Sequence, residues 1–344
     1  MNEKLLSIIL PVYNAENDLE HCLNNIIHTT YENKELIIVD DGSTDKSPEI
    51  IDEYSRKYTF IKAIHKKNEG VQIASQVALK YVRGEYLAFI DADDGIDLNA
   101  YENSIAILES KLCDVVIFRY INEYGDIVPE INIEPVICKD FRGKDIIDHF
   151  QRNNDISFEG FLWNKIWRTS SIRSIRFQPD LFLCSDVVFV WQALKQLEYV
   201  CYIEPHYYHY KYSQSSITKS SDPYKFMAAL KAWKYIVSET KNEKTISYEK
   251  ALNSYVIWNV KTAEHLPVFS NNKSIIRAWQ FTRNNIVQNK ERIKNLPVYY
   301  RVLANTLIKT RLLFSFESYF INKLKKNYYK ISRKETSYEK SSII

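Results

Sequence analysis

Short apolar runs and amphipathic stretches alternate through the first third of the chain. Leu5–Leu10, Glu35–Val39, Ile61–His65 and Tyr86–Ile90 have the length and composition of buried strands. Between them, Asp18–Thr29 places Leu19, Leu23, Ile26 and Ile27 at the spacing of one helical face. Lys46–Tyr58 and Val71–Val82 also read as helices, Tyr101–Ser110 continues as another, and Val115–Phe118 is strand-like. Strands alternating with helices of about a dozen residues predict parallel βαβ units. Right-handed crossovers then bring the loops that follow the strands to one edge of the sheet.

The rhythm breaks after residue 120. Residues 121–220 mix short strands, a helix near 143–151 and aromatic-rich loops, and from 224 onward the pattern is nearly all helical. A boundary near Ser220–Pro223 is expected, dividing the chain into an α/β domain, 1–220, and a helical C-terminal region, 221–344. Residues 301–334 hold nine Lys or Arg against one acid, Glu317, with Leu313, Phe316, Phe320, Leu324 and Tyr328 at helical spacing. Such a segment either packs on the protein with its lysines in water or lies on anionic lipid.

At 344 residues there is room for about two domains, and 45% hydrophobic with 14% aromatic residues excludes disorder by composition. A net charge of +3 gives no steering towards nucleic acid. The five cysteines, Cys22, Cys113, Cys138, Cys184 and Cys201, are scattered and form no C-x-x-C pair, which fits a reducing cytoplasm. Pro11 and Asn14 arrive too early for a signal peptide, and no run approaches the roughly 18 apolar residues of a membrane span. The expected location is cytoplasmic, with any membrane contact peripheral on the inner face.

Chemistry is suggested where the strands end. Tyr86–Ile90 closes on Asp91-Ala92-Asp93-Asp94, and Glu35–Val39 closes on Asp40-Asp41-Gly42-Ser43. Desolvating an unpaired carboxylate is costly, so acids gathered there need a cation, a hydrogen-bonding ligand or open water. In an open α/β sheet, ligands bind beyond the carboxyl ends of the strands. A turn followed by a helix N-cap also accounts for one such cluster, but less well for two in one βα series.

Ser7-Ile-Ile-Leu-Pro11-Val-Tyr13-Asn14, Val39-Asp40-Asp41-Gly42-Ser43-Thr44-Asp45 and Phe89-Ile-Asp91-Ala-Asp93-Asp94 resemble the inverting family 2 glycosyltransferases in order and spacing. The resemblance is strong over residues 5–120, weaker over 155–217, and does not extend to 224–344. It implies the GT-A fold, a mostly parallel central sheet flanked by helices. It also implies transfer of a sugar from a nucleotide-diphospho-sugar, a UDP-sugar in most relatives, to an acceptor hydroxyl. Bacterial surface-polysaccharide synthesis on a glycan or lipid-linked acceptor is the expected setting.

The same resemblance implies the roles. Pro11 and Tyr13 would wall the nucleotide base, and Asp41 would accept a hydrogen bond from it. Asp40 would fix the turn or cap the next helix. Asp93 would coordinate Mg²⁺ or Mn²⁺, which favour oxygen ligands, and Asp91 would face the ribose or a metal-bound water. Phe182-Leu-Cys-Ser185-Asp186-Val-Val-Phe189 resembles the segment that carries the base, which places that role on Asp186. Trp163-Asn164-Lys165 resembles an element in which Trp163 would stack on a sugar and Lys165 would meet phosphate. Tyr208 to Ser216 would help close the site. Two positions depart from the family: Ser75 stands where relatives carry an arginine, and Ser185 where they carry a glutamate. Lys66 or Lys67 would have to replace the missing positive charge. The competing reading is a pseudo-transferase that binds a nucleotide sugar or a partner without turnover. A sugar nucleotidyltransferase would want a Gly-rich loop after the first strand, and none is present.

Overall fold

A computed structural model describes residues 4–123, 127–150, 158, 160–181, 183–211, 223–241, 246–266 and 272–309. Contacts divide the chain into two compact units, Met1–Ser220 and Ser221–Ile344.

The first unit is built on a nine-stranded sheet. Its strands are β1 (Leu6–Val12), β2 (Lys34–Asp40), β3 (Ile61–His65), β4 (Tyr86–Phe89), β5 (Gly95–Ile96), β6 (Val115–Glu123), β7 (Cys138–Arg142), β8 (Lys165–Arg168) and β9 (Tyr199–Lys211). The helices that matter to the site are α1 (Leu19–Ile27), α2 (Ser47–Lys57), α3 (Val71–Leu79), α4 (Ala100–Lys111), α5 (Lys144–Asp148), α6 (Thr169–Ile172) and α7 (Ser185–Gln196). The strand order is β3-β2-β1-β4-β8-β6-β9-β5, with β7 also paired to β9.

β3, β2, β1 and β4 run parallel, with Val12 opposite Asp40 and Ile9 opposite Phe89. At β1 the order of strands reverses, so a crevice opens beyond the carboxyl ends of β1, β2 and β4. These strands are buried nearly throughout. Leu6, Ile8, Leu10, Leu36, Ile38, Tyr86 and Ala88 share a core with Leu19, Leu23 and Ile26 of α1, while α3 lies against β1 and β2 on the other side. Burial on both faces is why they read as unbroken apolar runs. Each large aliphatic side chain buried this way contributes roughly 1.5–3 kcal/mol.

Beyond β4 the sheet is mixed. β8 is antiparallel to both β4 and β6, while β9 is parallel to β6 and antiparallel to β5 and β7. Within 121–220, read from the sequence only as a mix of short strands, a helix and aromatic-rich loops, β9 is a strand of 13 residues. Pro205 hid it, because proline has no N–H for the ladder. The chain accommodates it in an irregularity, where pairing to β6 jumps from Tyr202 opposite Ile117 to His206 opposite Arg119.

In the second unit the described residues form α8 (Pro223–Thr240), α9 (Ile246–His265), α10 (Lys273–Gln288), a 3₁₀ turn (Lys290–Asn295) and α11 (Val298–Lys309). Val256, Val260, Ala263, Trp279, Ile286, Leu303 and Leu307 form its core. Most of the basic segment 301–334 lies outside the described residues. Among those described, no helix is long and apolar enough to cross a membrane.

Candidate active site

The turns after β1 and β2 are laced together. Asn14 N–H donates to Ser43 Oγ at 3.0 Å, and Thr44 N–H donates to Asn14 Oδ1 at 2.8 Å. Ala15 N–H reaches Ser47 Oγ and Glu16 N–H reaches Asp45 Oδ2, while Lys46 N–H returns to Glu16 Oε2. Asp40 fixes its own turn by accepting from Ser43 N–H at 2.9 Å. Gly42 takes φ +75°, a left-handed conformation that costs glycine nothing, and a Cβ there would lie 2.6 Å from Asn68 N. Side-chain oxygens thus satisfy backbone donors and hold two loops in one register. Tyr13 stands at the rim with 53% of its surface exposed, beside half-buried Pro11, as a ring open to a ligand must.

Asp41 lies beneath this rim, only 2% exposed. Its Oδ1 accepts from Lys66 Nζ at 2.6 Å and Glu69 N–H at 3.0 Å, and its Oδ2 from Gly70 N–H at 2.7 Å. Two lone pairs on each oxygen leave Oδ2 room for one more donor. Lys66 also bridges Glu69 at 2.9 Å. Its charge is committed to these acids, so it does not replace an arginine at Ser75, which is itself buried in α3. Lys67 is exposed.

The turn after β4 has the opposite character. Asp91, Asp93 and Asp94 crowd together, and removal from water raises the proton affinity of all three. Asp91 is pushed up to about 7, first by desolvation and then by the charges of Asp93 and Asp186. Asp94 is pushed up to about 9 by desolvation, with Asp91 and Asp93 adding to it. Asp94 is held in place: Tyr208 Oη–H donates to its Oδ2 at 2.7 Å, and Lys211 N–H to its Oδ1 at 2.8 Å. The same Tyr208 hydroxyl accepts from Asp91 N–H at 3.2 Å. Lys211 Nζ bridges Asp18 Oδ1 at 2.7 Å. Asp93 opens into a cavity of about 270 Å³ lined also by Asn17, Asp18, His21, Asp94, Ile127 and Lys211.

Asp186 enters from the first turn of α7, where the helix N-terminus favours an anion. Val187 N–H donates to its Oδ1 at 2.8 Å. Desolvation pushes Asp186 up to about 6, against the opposing pull of backbone N–H groups and the charge of Lys165. The charges of Asp93 and Asp186 thus both reach Asp91, and that of Lys165 reaches Asp186, although these residues come from three separate segments. Trp163 is placed differently from the stacking platform expected for a sugar. Only 7% of it is exposed, and its ring stacks on Phe161 at 4.6 Å and on Tyr208 at 4.2 Å. Lys165 is fully buried, its Nζ donating to Phe161 O at 2.6 Å and Asn164 Oδ1 at 2.7 Å. Its charge also acts on Asp186. Ser185, at the other departure, is buried at the start of α7.

Among the described residues, no three His, Cys, Asp or Glu side chains are grouped to hold an ion on their own. The donors that are present still suit one. They are carboxylate oxygens, and Mg²⁺ or Mn²⁺ usually takes one or two of these and completes its shell with water and substrate phosphates. The mutual repulsion that raises Asp91 and Asp94 is what a divalent cation would relieve.

Sequence patterns did not single out Asp18 or Lys211. Each lies beside a helix start or at a strand end, where a charge is the ordinary choice. Lys165 had a signal: a cation between Trp163 and Trp167 at the head of an apolar strand. The segment 212–216, expected to help close the site, lies outside the described residues, as does Phe182.

Residues 7–162 match the family described as glycosyl transferase family 2. The putative glycosyltransferase EpsH of Bacillus subtilis is 28% identical over 262 residues, 75% of each chain. The uncharacterized glycosyltransferase EpsJ of the same organism is 26% identical over 227 residues, 64% of each. Residues 1–349 of S. aureus TarS, solved with UDP-GlcNAc, superpose with a TM-score of 0.67 at 18% identity, covering 92% of this chain and 91% of that one. At that identity the likeness is one of fold, and the fold is GT-A.

Proposed function

We propose, from the premise that residues 7–162 are a glycosyl transferase family 2 domain, that this chain moves a sugar from a UDP-sugar to an acceptor hydroxyl with inversion. One observation carries the reading: the charge of Asp186, at the head of α7, reaches Asp91 at the end of β4. This supports a base and a diphosphate-facing pair sharing one crevice.

The nucleotide base would lie between the turns after β1 and β2, with Tyr13 and Pro11 beside it and the remaining lone pair of Asp41 Oδ2 facing its N–H. TarS, which shares the fold, was solved with UDP-GlcNAc, and this supports a uridine donor. Asp93, with Asp91 behind it, would hold Mg²⁺ or Mn²⁺, which when bound neutralises the departing diphosphate. Asp186 takes the proton from the acceptor hydroxyl as its oxygen bonds to the anomeric carbon. The bond from that carbon to the diphosphate oxygen breaks, and the electron pair leaves with the nucleoside diphosphate. A single displacement from the opposite face inverts the centre. A bacterial surface glycan or lipid-linked acceptor, handled at the inner face of the membrane, belongs to the same reading, which the basic segment 301–334 supports. The two-domain division at residue 220 belongs to the same reading.

The test is binding and hydrolysis of a panel of nucleotide sugars, with and without Mn²⁺, for wild type, Asp93→Ala and Asp186→Asn. One donor should bind with metal, lose binding in Asp93→Ala, and bind without turnover in Asp186→Asn. If no nucleotide sugar binds with metal present, the transferase reading fails. Binding without turnover in the wild type, against sugar, glycan and lipid-linked acceptors, would favour a pseudo-transferase. The commitment of Lys66 to Asp41, which leaves only Lys67 to replace the arginine absent at Ser75, is the observation on that side.

A further inference from the structure

Asp91 and Asp186 come to the crevice from different elements, so something must fix how β4 and α7 seat against each other. A set of aromatic rings does this. Phe89 lies in β4 two residues before Asp91, and Phe189 lies in α7 one turn after Asp186. Phe177, from the segment 177–181 ahead of α7, is wedged between them. Its ring stacks on Phe189 at 4.5 Å and 25°, and meets Phe89 edge-on at 6.3 Å and 74°. Phe89 and Phe189 themselves meet edge-on at 6.1 Å. All three rings are buried. Aromatic pairs prefer offset or edge-on geometry, so the set fixes direction as well as distance.

The wedge is held from α3. Phe177 N–H donates to Gln76 Oε1 at 2.9 Å, and Gln72 Nε2–H donates to Pro179 O at 3.3 Å. Gln72 and Gln76 are neighbours one turn apart on that helix, so two amides grip the segment at two points. Leu181 N–H closes a turn on Gln178 O at 3.1 Å, and the Leu181 side chain is buried. The same helix starts after Gly70, whose N–H holds Asp41. A chain of direct contacts thus runs from Asp41 through α3 and Phe177 to Phe189 and the helix that carries Asp186.

We propose that Phe177 is a positioning residue for Asp186: wedged between Phe89 and Phe189 and anchored by Gln76, it sets the head of α7, and with it the Asp186 carboxylate, against the end of β4. The proposal rests on the transferase reading, in which Asp186 takes the proton of the attacking hydroxyl. A general base must lie within hydrogen-bond reach of that proton. On a loosely seated helix head it loses this reach, while the turns after β1 and β2 keep their shape. Phe177→Leu keeps an apolar side chain but removes both ring contacts. Gln76→Leu leaves the rings in place but orphans the Phe177 N–H, whereas Gln76→Glu still offers it an oxygen.

The experiment uses the full chain. Release of UDP from UDP-GlcNAc with Mn²⁺ gives kcat, and calorimetric titration with UDP gives Kd. Asp side chains are labelled with ¹³C at the carboxyl carbon, and the Asp186 midpoint is assigned by its loss in Asp186→Asn. Desolvation holds Asp186 at about 6, against the Val187 N–H and the charge of Lys165, and Asp91 is the acid its own charge reaches. A loosened α7 admits water to the carboxyl. In Phe177→Leu the midpoint should therefore fall by about one unit, a ten-fold change in proton affinity. There kcat should fall by up to about 10²-fold, with the Kd for UDP unchanged. Gln76→Leu should move both the same way, and Gln76→Glu should restore them. A merely structural role would lower the thermal midpoint and leave kcat and the Asp186 titration where they are. An unmoved Asp186 midpoint in Phe177→Leu overturns the proposal. Should Phe177→Leu fail to fold, Gln76→Leu decides by the same criterion. The titration needs no turnover. If Asp186→Asn releases UDP as fast as wild type, the transferase role of Asp186 falls, while the titration still decides whether Phe177 seats its carboxylate.

Discussion

The two halves of the crevice are built on opposite electrostatic plans. On the side of β1 and β2, each acid is matched by donors: Asp40 by Ser43, Asp45 by Glu16 and Ser47, and Asp41 by Lys66 and two backbone N–H groups. On the side of β4 and α7, Asp91, Asp93, Asp94 and Asp186 are crowded and desolvated. The first half is finished before any ligand arrives and recognises by shape. The second stores unfavourable charge that a cation and a reacting proton would release. If the proposed roles hold, preorganisation here means two things: acids matched by donors where a nucleotide base would be read, and crowded, desolvated acids where chemistry would occur.

The sharpest way to break this contrast is to remove charge from the second half. Asp186→Asn should lower turnover by about 10²–10⁴-fold with donor affinity nearly unchanged, measured as kcat against the Kd for nucleotide sugar. A comparable loss in Kd would instead make Asp186 part of the binding half. Next in size is a change in the first half. Gly42→Ala forces a Cβ into positive φ and against Asn68 N, and should cost about 2 kcal/mol by urea unfolding. Donor binding should weaken with it, because the turn carries both Asp41 and Ser43. A fully stable variant would show that this turn is not rigid.

The sign of the pH response separates the halves further. Asp186 is raised to about 6 in the folded protein, above the ordinary value near 3.9. Between those two values the folded state binds more protons than the unfolded state, so stability from this group falls as pH rises from about 4 to about 6. The thermal midpoint of wild type, relative to Asp186→Asn, should therefore drop by a few degrees across that window. A flat difference would mean that Asp186 is solvated. The smallest effect lies at the helix that presents it. Cys184 precedes α7 at φ +60°, a conformation that costs a side-chain-bearing residue roughly 1–2 kcal/mol. Cys184→Gly relieves this strain but adds unfolded-state entropy, so calorimetry should show a gain of up to about 1 kcal/mol. Loss of stability would show that the thiol packs for more than the strain it imposes.

Much of this was legible in the sequence, for local reasons. β1 to β4 and α1 to α3 announce themselves because β1, β2 and β4 are buried on both faces and the elements between them alternate with helices buried on one. The acids at their ends are legible because a carboxylate that closes a buried strand must meet water, a donor or a cation. β9 was not legible, since Pro205 and a row of tyrosines and histidines imitate a loop; only pairing with β6 and β7 reveals a strand. The fate of Trp163 and Lys165 was also hidden. Their residue types suggested contact with sugar and phosphate, but the stack of Phe161, Trp163 and Tyr208 and the burial of Lys165 depend on strands distant in sequence.

β8 lies between β4 and β6 and runs against both. Its partners are far apart along the chain: Tyr86 must find Arg168, whereas Leu6 meets Lys34 after a single helix. Closing the longer loop costs more entropy, and non-local pairings form slowly. The side of the crevice built by β1 and β2 is therefore expected to take shape first during folding. The other side follows when β8 slots in between β4 and β6. Assembly in that order would leave a growing chain with a surface shaped for a nucleotide before it had the means to consume one.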